Sequence, residues 1–498
     1  MLWFIPSWYK DESMNAMERS WNRKTVSSQF DDTVSQVKIF NEGNKDVSLM
    51  ILSYTPQLRH FLYREEIMDV PYISIFDDLQ DIHSKRIGLY SYKDLNWPKD
   101  IEWTYTPYIV LAKRCGKEFA KIYFGKEGYM IVVELCESNR KKLVFDDRGF
   151  VSSIQYFKED AIEYIEYYNE KGEWQFRHDC MSDHVLINET QKHRFRKMEY
   201  NSMDEVMKEY LQMKLHHFSF DDIVVIASDE HHNEMLMQSI WKQKIILSLF
   251  GDRFDIHKGG HVYHKADIVL TDSDEKKHII EEEFRVHNVY TVSPFDTRFQ
   301  LGQSQRTKKH KIYFPIDDIQ IELKALEDII EYMKSHPLVE LYIGLYQFDH
   351  TFENTIYEIM NQLLRKCNAK MNIEVGIKKE SSRIHLVPIM SENDLISLFV
   401  DMRLIVDLRE HPDTFTLIAG MSTGIPQIVK HENNYIHHKK NGLYLERGIS
   451  LQESIRYYLE YLEHWNDSLV YSYSLMQEYT GEKILKKWKE MIKNESKY

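Results

Sequence analysis

Apolar positions along this chain repeat with two different periods, and the change between them divides it. Near the start, Trp3 to Ile5 and Val47 to Tyr54 are short apolar runs that end at Pro6 and at Thr55-Pro56. Between them Phe30, Val34, Val37 and Phe40 recur at helical spacing. Leu58 to Ile67 reads as a second helix, and Val70 to Phe76 as a further strand. From about Trp103 to Gln191 the apolar period falls to two, over successive short runs such as Tyr129–Leu135, Val151–Phe157 and Ile162–Tyr168. Asp146-Asp147-Arg148-Gly149 and Asn169-Glu170-Lys171-Gly172 join such runs, each with an Asx residue at the turn entry and Gly where positive φ is needed. An antiparallel meander is the expected result.

The longer period returns at Met203 to Leu215, where Val206, Met207, Tyr210 and Leu211 share a face. Ile223–Ala227, Lys244–Phe250 and Ala266–Thr271 are unbroken apolar strands, the pattern of a parallel sheet covered on both faces. Gly302 to His310 is polar and basic and reads as a linker. A second alternating set follows: strand 311–314, helix 321–333, strand 341–343, helix 352–367, strand 383–387, helix 392–399 and strand 404–407. Ile405 to Glu446 then reads strand, helix, strand, turn, strand, with Gly424-Ile425-Pro426 and Asn441-Gly442 as its turns. The predicted class is α/β: two doubly wound parallel-sheet domains with an antiparallel β-meander inserted in the first. The boundaries are 1–102 with 200–301, the insertion 103–199, the second domain 311–480, and an amphipathic helix over 481–498.

Composition narrows the function. The net charge of −14 argues against a nucleic-acid partner, which needs a concentrated basic face. Four cysteines without CxxC spacing suit a reduced, cytoplasmic protein. The apolar start MLWFIPSWY lacks a basic flank and runs into Lys10-Asp11-Glu12, so it does not read as a signal peptide. The last helix sets six lysines against three glutamates on its polar face. It is expected to close a domain, with contact at an anionic membrane surface as the alternative.

Little catalytic chemistry stands out. Asp229-Glu230-His231-His232 follows a strand, but adjacent histidines point apart on a helix. His431-Glu432 with His437-His438 fails the HExxH spacing because Tyr occupies position 435. His257, His261 and His264 lie in a glycine-containing loop and read as solvated. GxGxxG, GxxxxGK[ST] and GxSxG are all absent. No catalytic residue, cofactor or metal is therefore expected. Tyr168 and Trp174 of the meander are candidates for stacking on a ligand, against the simpler expectation that the meander aromatics cover a sheet face.

Two resemblances follow from the motifs. Ala419-Gly420-Met421-Ser422-Thr423-Gly424-Ile425-Pro426-Gln427-Ile428 and Lys440-Asn441-Gly442-Leu443-Tyr444 resemble the donor-sugar half of retaining GT-B glycosyltransferases, over roughly residues 205–490. That resemblance implies two Rossmann-type domains, with two glutamates, eight positions apart, holding the donor. Here those positions fall on His411 and Ala419, and Asp317-Asp318 stand where cationic residues would meet the diphosphate. Reversing charge there costs several kcal/mol, so His411, Ala419, Gly424, Asn441 and Gly442 read as a degenerate donor site. The opening Met1 to Tyr9, the Phe30-Asp31-Asp32-Thr33 helix start and the meander resemble the accessory Sec system family, the first of its three accessory secretory proteins. This implies a non-catalytic subunit that works with two sister proteins and the accessory SecA motor to export glycosylated serine-rich-repeat adhesins. The implied place is the cytoplasm, with peripheral contact at the inner face of the membrane. The alternative is an active enzyme moving N-acetylglucosamine from a UDP-sugar to Ser/Thr of an adhesin.

Overall fold

The computed structural model describes the chain except for residues 11–13, 21–25, 28–29, 89, 137–139, 298–303, 318–321, 349, 376–381, 446–447 and 496–498. It divides into two compact units, Met1–Arg23 with Phe40–Val269, and Lys24–Ile39 with Leu270–Tyr498.

In the first unit the chain starts in the middle of a parallel sheet. Leu2–Ile5 pairs in parallel with Val47–Ile51 on one side and with Ile223–Ala227 on the other. Tyr72–Ser74 extends the first side, and Lys244–Leu249 the second. The strands are mostly apolar, as expected of a parallel sheet covered by helices on both faces. Met203–His216 is one of these helices. Its N-cap Ser202 accepts from the Glu205 amide, and Val206, Met207, Leu211 and Leu215 are buried at helical spacing. The run Val70–Phe76 resolves differently from the expected strand. Tyr72–Ser74 is extended, and Ile75–Leu79 turns into a helix capped by Ser74. The cap at Ser74 and the acids Asp77 and Asp78 in the first turn override the β-propensity of the run.

Residues between these strands form a ten-stranded antiparallel sheet in strict sequential order, from Glu102–Tyr105 to Glu199–Tyr200. The two expected hairpin turns are present, with φ of 92° at Gly149 and 79° at Gly172. The first turn also anchors the sheet. Asp147 accepts hydrogen bonds from the backbone amides of Arg59 (2.8 Å) and His60 (3.2 Å). Both lie in the first turn of the helix Leu58–Arg64, whose own N-cap, Gln57, makes no side-chain cap bond. Gln57 instead donates to the Phe145 carbonyl, 2.6 Å away. The inserted sheet thus supplies the carboxylate that this helix N-terminus lacks.

The second unit holds a seven-stranded sheet, in the order Ile373–Val375, Ile384–Pro388, Val339–Leu345, His310–Ile316, Leu404–Asp407, Gln427–Val429 and Gly442–Tyr444. All its pairings are parallel. Ile312, Phe314, Leu341, Ile343, Ile384, Leu386, Leu404 and Val406 make the core with Leu326, Ile329, Ile330 and Met333 of the helix Leu323–Ser335. Of the expected linker, 302–303 lie outside the described residues, Ser304–Arg306 forms a 3-10 turn, and His310 already opens a strand. Leu451–Leu459 and Leu462–Met476 are two helices the apolar pattern did not predict. In the second, Ser468 and Ser472 sit on the buried face, where small polar residues hide the period. The last helix, Gly481–Asn494, buries Ile484, Trp488 and Met491 and exposes Lys483, Lys486, Lys487, Lys489 and Lys493.

Candidate functional site

A doubly wound sheet binds ligands beyond the carboxyl ends of its strands, where the strand order reverses. In the second unit the reversal lies between His310–Ile316 and Leu404–Asp407. The residues just past those ends are Asp317 and Arg409. The Arg409 guanidinium fills this place. Its Nε donates to Asp407 at 2.9 Å, Nη2 donates to Asp407 and to Asp413 at 2.7 Å each, and Nη1 donates to Asp317 at 2.6 Å. The group also lies 4.9 Å from the ring centroid of Tyr346. Burial opposes the charge, but the carboxylates of Asp407 and Asp413 outweigh it and hold the pKa well above the ordinary arginine value.

A hydroxyl relay backs this cluster. Tyr313 donates to Tyr346 at 3.1 Å, Tyr346 meets Thr416 at 2.8 Å, and Thr416 donates to Asp413 at 2.7 Å. Asp413 is also the N-cap of the helix Thr414–Ser422, accepting from the Thr416 amide at 2.6 Å. A helix N-terminus at this position is a ready anion site, and a carboxylate of the chain itself already occupies it. The structure therefore revises the expectation that Asp317 simply repels phosphate. Asp317 is ion-paired to a residue 92 positions away, and the anion position is filled rather than hostile. Asp318 lies outside the described residues.

The other positions that the GT-B resemblance singles out are placed as follows. His411 is exposed in the loop before the helix, and Ala419 is buried within it at 8% exposure. Gly424 turns the chain with φ of 72°. Asn441 is buried, donating to the Tyr435 carbonyl at 2.9 Å and accepting from the His437 amide at 2.7 Å. A Cβ on Gly442 would stand 2.3 Å from the Gln427 carbonyl oxygen, a contact no side chain tolerates.

The first unit repeats the arrangement. Its reversal lies between Leu2–Ile5 and Ile223–Ala227. Ser7 donates to Asp229, and His231 Nδ1 meets the other Asp229 oxygen at 2.6 Å. Tyr9 stacks on His231 with ring centroids 4.7 Å apart, and its hydroxyl meets His232 Nδ1 at 2.7 Å. His232 Nε2 donates to the Ala227 carbonyl at 2.8 Å, so Nδ1 accepts and the ring is neutral. Burial pushes the His232 pKa down to about 4.

The sign of its pH effect follows. The folded pKa lies below the unfolded value near 6.5, so neutral His232 contributes fully above about pH 6.5. As pH falls from 6.5 towards 4 the contribution declines, by about 3 kcal/mol in all at ~1.4 kcal/mol per unit. Denaturant midpoints at pH 7.5 and 4.5 are expected to converge in His232→Gln relative to wild type. An identical pH slope in both proteins would refute this role.

The other candidates are dispersed. Among the described residues no group of three or more His, Cys, Asp or Glu could hold a metal. His261 faces Glu234 at 3.4 Å, and His431 faces Glu410 at 2.7 Å. In the meander, Tyr167 and Phe176 are buried and stacked at 4.5 Å. Tyr168 and Trp174 are half-buried. The Tyr168 hydroxyl donates to Glu166 at 2.7 Å, and the Arg177 guanidinium lies 5.8 Å from the Trp174 ring. Arg409 and Asp413 escaped the sequence reading. Their signal was local: acids two before and four after Arg409, at the end of an apolar strand.

This fold, with both reversal points occupied by the chain's own side chains, defines a GT-B glycosyltransferase-like protein. The chain belongs to the family of the accessory Sec system protein known as accessory secretory protein 1, which it matches over residues 1–495. It is 32% identical over 524 aligned positions to the accessory Sec system protein of Streptococcus gordonii, covering 99% of each chain. The crystal structure of accessory secretory proteins 1, 2 and 3 of Streptococcus pneumoniae contains a chain of TM-score 0.86 and 32% identity, with full coverage of both. The pneumococcal O-GlcNAc transferase GtfA, in complex with UDP and GlcNAc, shares the fold at TM-score 0.73 and 13% identity, covering 99% of this chain and 98% of its own.

Proposed function

We propose that this chain is a non-catalytic subunit of accessory Sec export. In this reading it assembles with two sister accessory secretory proteins and acts with the accessory SecA motor on a glycosylated serine-rich-repeat adhesin. One observation supports the non-catalytic reading: Arg409 with Asp317, Asp407 and Asp413 fills the carboxyl ends of the strands at the reversal point of the second sheet. The solved complex of its pneumococcal relative supports the assembly. The exposed lysines of Gly481–Asn494 support peripheral contact with an anionic inner leaflet. Among the described residues no helix is long and apolar enough to cross a membrane.

Two measurements test the reading. Calorimetry with UDP and UDP-N-acetylglucosamine is expected to give no heat of binding, and incubation no hydrolysis or transfer. Co-expression is expected to yield a stable complex with the two sister subunits. Micromolar binding of the UDP-sugar with turnover would favour the enzyme, and a chain that stays monomeric on co-expression would remove the subunit role.

A further inference from the structure

Three deeply buried arginines each sit among carboxylates. Arg59 and Arg148 meet Asp77 and Asp146, with Asp147 also on Arg59, and Arg409 meets Asp317, Asp407 and Asp413. Arg403 breaks this rule. It lies in the second unit at the amino end of the strand Leu404–Asp407 and is 7% exposed. Its guanidinium stacks on Trp465, 3.7 Å from the ring centroid, and the Trp465 indole donates to the Arg403 carbonyl at 2.9 Å. The Nε is buried with no hydrogen-bond partner. Among the described residues no carboxylate offsets the charge, and burial alone pulls its pKa down to about 10. An unpaired buried cation is costly, and such groups are paired in almost all folds.

The surroundings repeat the sign. Burial, then the charges of Arg403 and His336, lowers the pKa of His310. The nearby acid Glu460 is engaged by His336 at 3.3 Å. Three large apolar side chains are exposed on the segments that flank these residues. Leu338 is 56% exposed, Tyr461 58% and Leu462 59%. They are tied to the cluster through the backbone: Leu338 accepts from the His310 amide at 2.9 Å, and Tyr461 from the Trp465 amide at 3.4 Å. An arginine pinned on an indole, with apolar side chains around it, has the make-up of an interface hot spot.

We propose that this surface is a docking surface whose occupant is a carboxylate-bearing segment of a companion accessory secretory protein. An Asp or Glu of that segment pairs with Arg403, and an adjoining apolar side chain covers Leu338, Tyr461 and Leu462. The charge complementarity is specific, because among the described residues the buried Arg403 guanidinium has no acid beside it and a planar carboxylate matches its fork. The inference rests on the subunit reading above.

The test compares wild type with Arg403→Met and Arg403→Glu, each titrated onto the preassembled pair of companion subunits. Affinity is expected to fall about 10-fold or more for Arg403→Met and about 100-fold for Arg403→Glu. The isolated Arg403→Met chain is expected to melt no lower than wild type, because an unpaired buried charge has been removed. Loss of binding with an unchanged melting temperature separates docking from misfolding. Wild-type affinity in both variants would overturn the inference while leaving the subunit reading intact. Absence of wild-type binding would overturn both. Lost binding to phosphatidylglycerol vesicles, or lost self-association in light scattering, with unchanged affinity for the companions, would also overturn it by assigning this surface to lipid or to a second copy.

Discussion

Arg59→Ala is expected to destabilise the first unit by about 3–5 kcal/mol, the usual effect of removing one partner from a buried ion pair. Arg59 is fully buried, as is Asp147, and their Nε–Oδ1 separation is 2.5 Å. Asp146 and Asp77 lie 3.5 and 3.3 Å from the same guanidinium. Without Arg59, three carboxylates share the single charge of Arg148, which pairs with Asp146 and Asp77 but not with Asp147. The loss reaches two elements at once, because Asp147 also caps the helix Leu58–Arg64. Urea unfolding followed by far-UV circular dichroism measures the change, and hydrogen exchange is expected to rise in both the helix and the 145–150 turn. The double variant Arg59→Met with Asp147→Asn is expected to recover part of the loss, since no buried charge is left alone. A change below about 1 kcal/mol in Arg59→Ala would show that the network contributes no more than an exposed pair.

Arg409→Ala is expected to cost a similar amount, about 3–5 kcal/mol, in the second unit. It leaves Asp407, fully buried, and Asp413 without their cation at the head of the helix Thr414–Ser422. Asp317 is 49% exposed at its side chain, so Asp317→Asn is expected to cost far less, within about 1 kcal/mol. The functional arm matters as much as the stability. Emptying the site of its guanidinium leaves three acids facing any diphosphate, so Arg409→Ala is expected to gain no affinity for UDP-N-acetylglucosamine. Binding in that variant would mean that Arg409 masks a working donor pocket, and the non-catalytic reading would fall.

Much of the architecture was legible in the sequence because it rests on local periodicity. Unbroken apolar runs such as Ile223–Ala227 are buried parallel strands, as their composition required. The glycines at 149 and 172 marked hairpin turns, since positive φ is a local demand. Local patterns failed where one helix face mixes small polar with apolar residues, as in Leu462–Met476, and where a cap overrode β-propensity after Ser74.

The candidate site divides in the same way. The resemblance to GT-B donor halves implies that His411 and Ala419 stand where acids would hold a donor sugar, with Gly424, Asn441 and Gly442 at the turns. Both are statements about side-chain chemistry at known positions. What fills the two reversal points was decided only by the tertiary structure. Arg409 reaches Asp317 across 92 positions, Tyr9 reaches His232 across 223, and Asp147 caps a helix 88 positions earlier. Charge pairing acts through space over a few ångströms and leaves no period along the chain. The sequence by itself determined the α/β architecture with its inserted antiparallel meander, because both follow from local periodicity. The structure decided that the chain's own charges have closed both reversal points, and that Arg403 is left to seek its acid elsewhere.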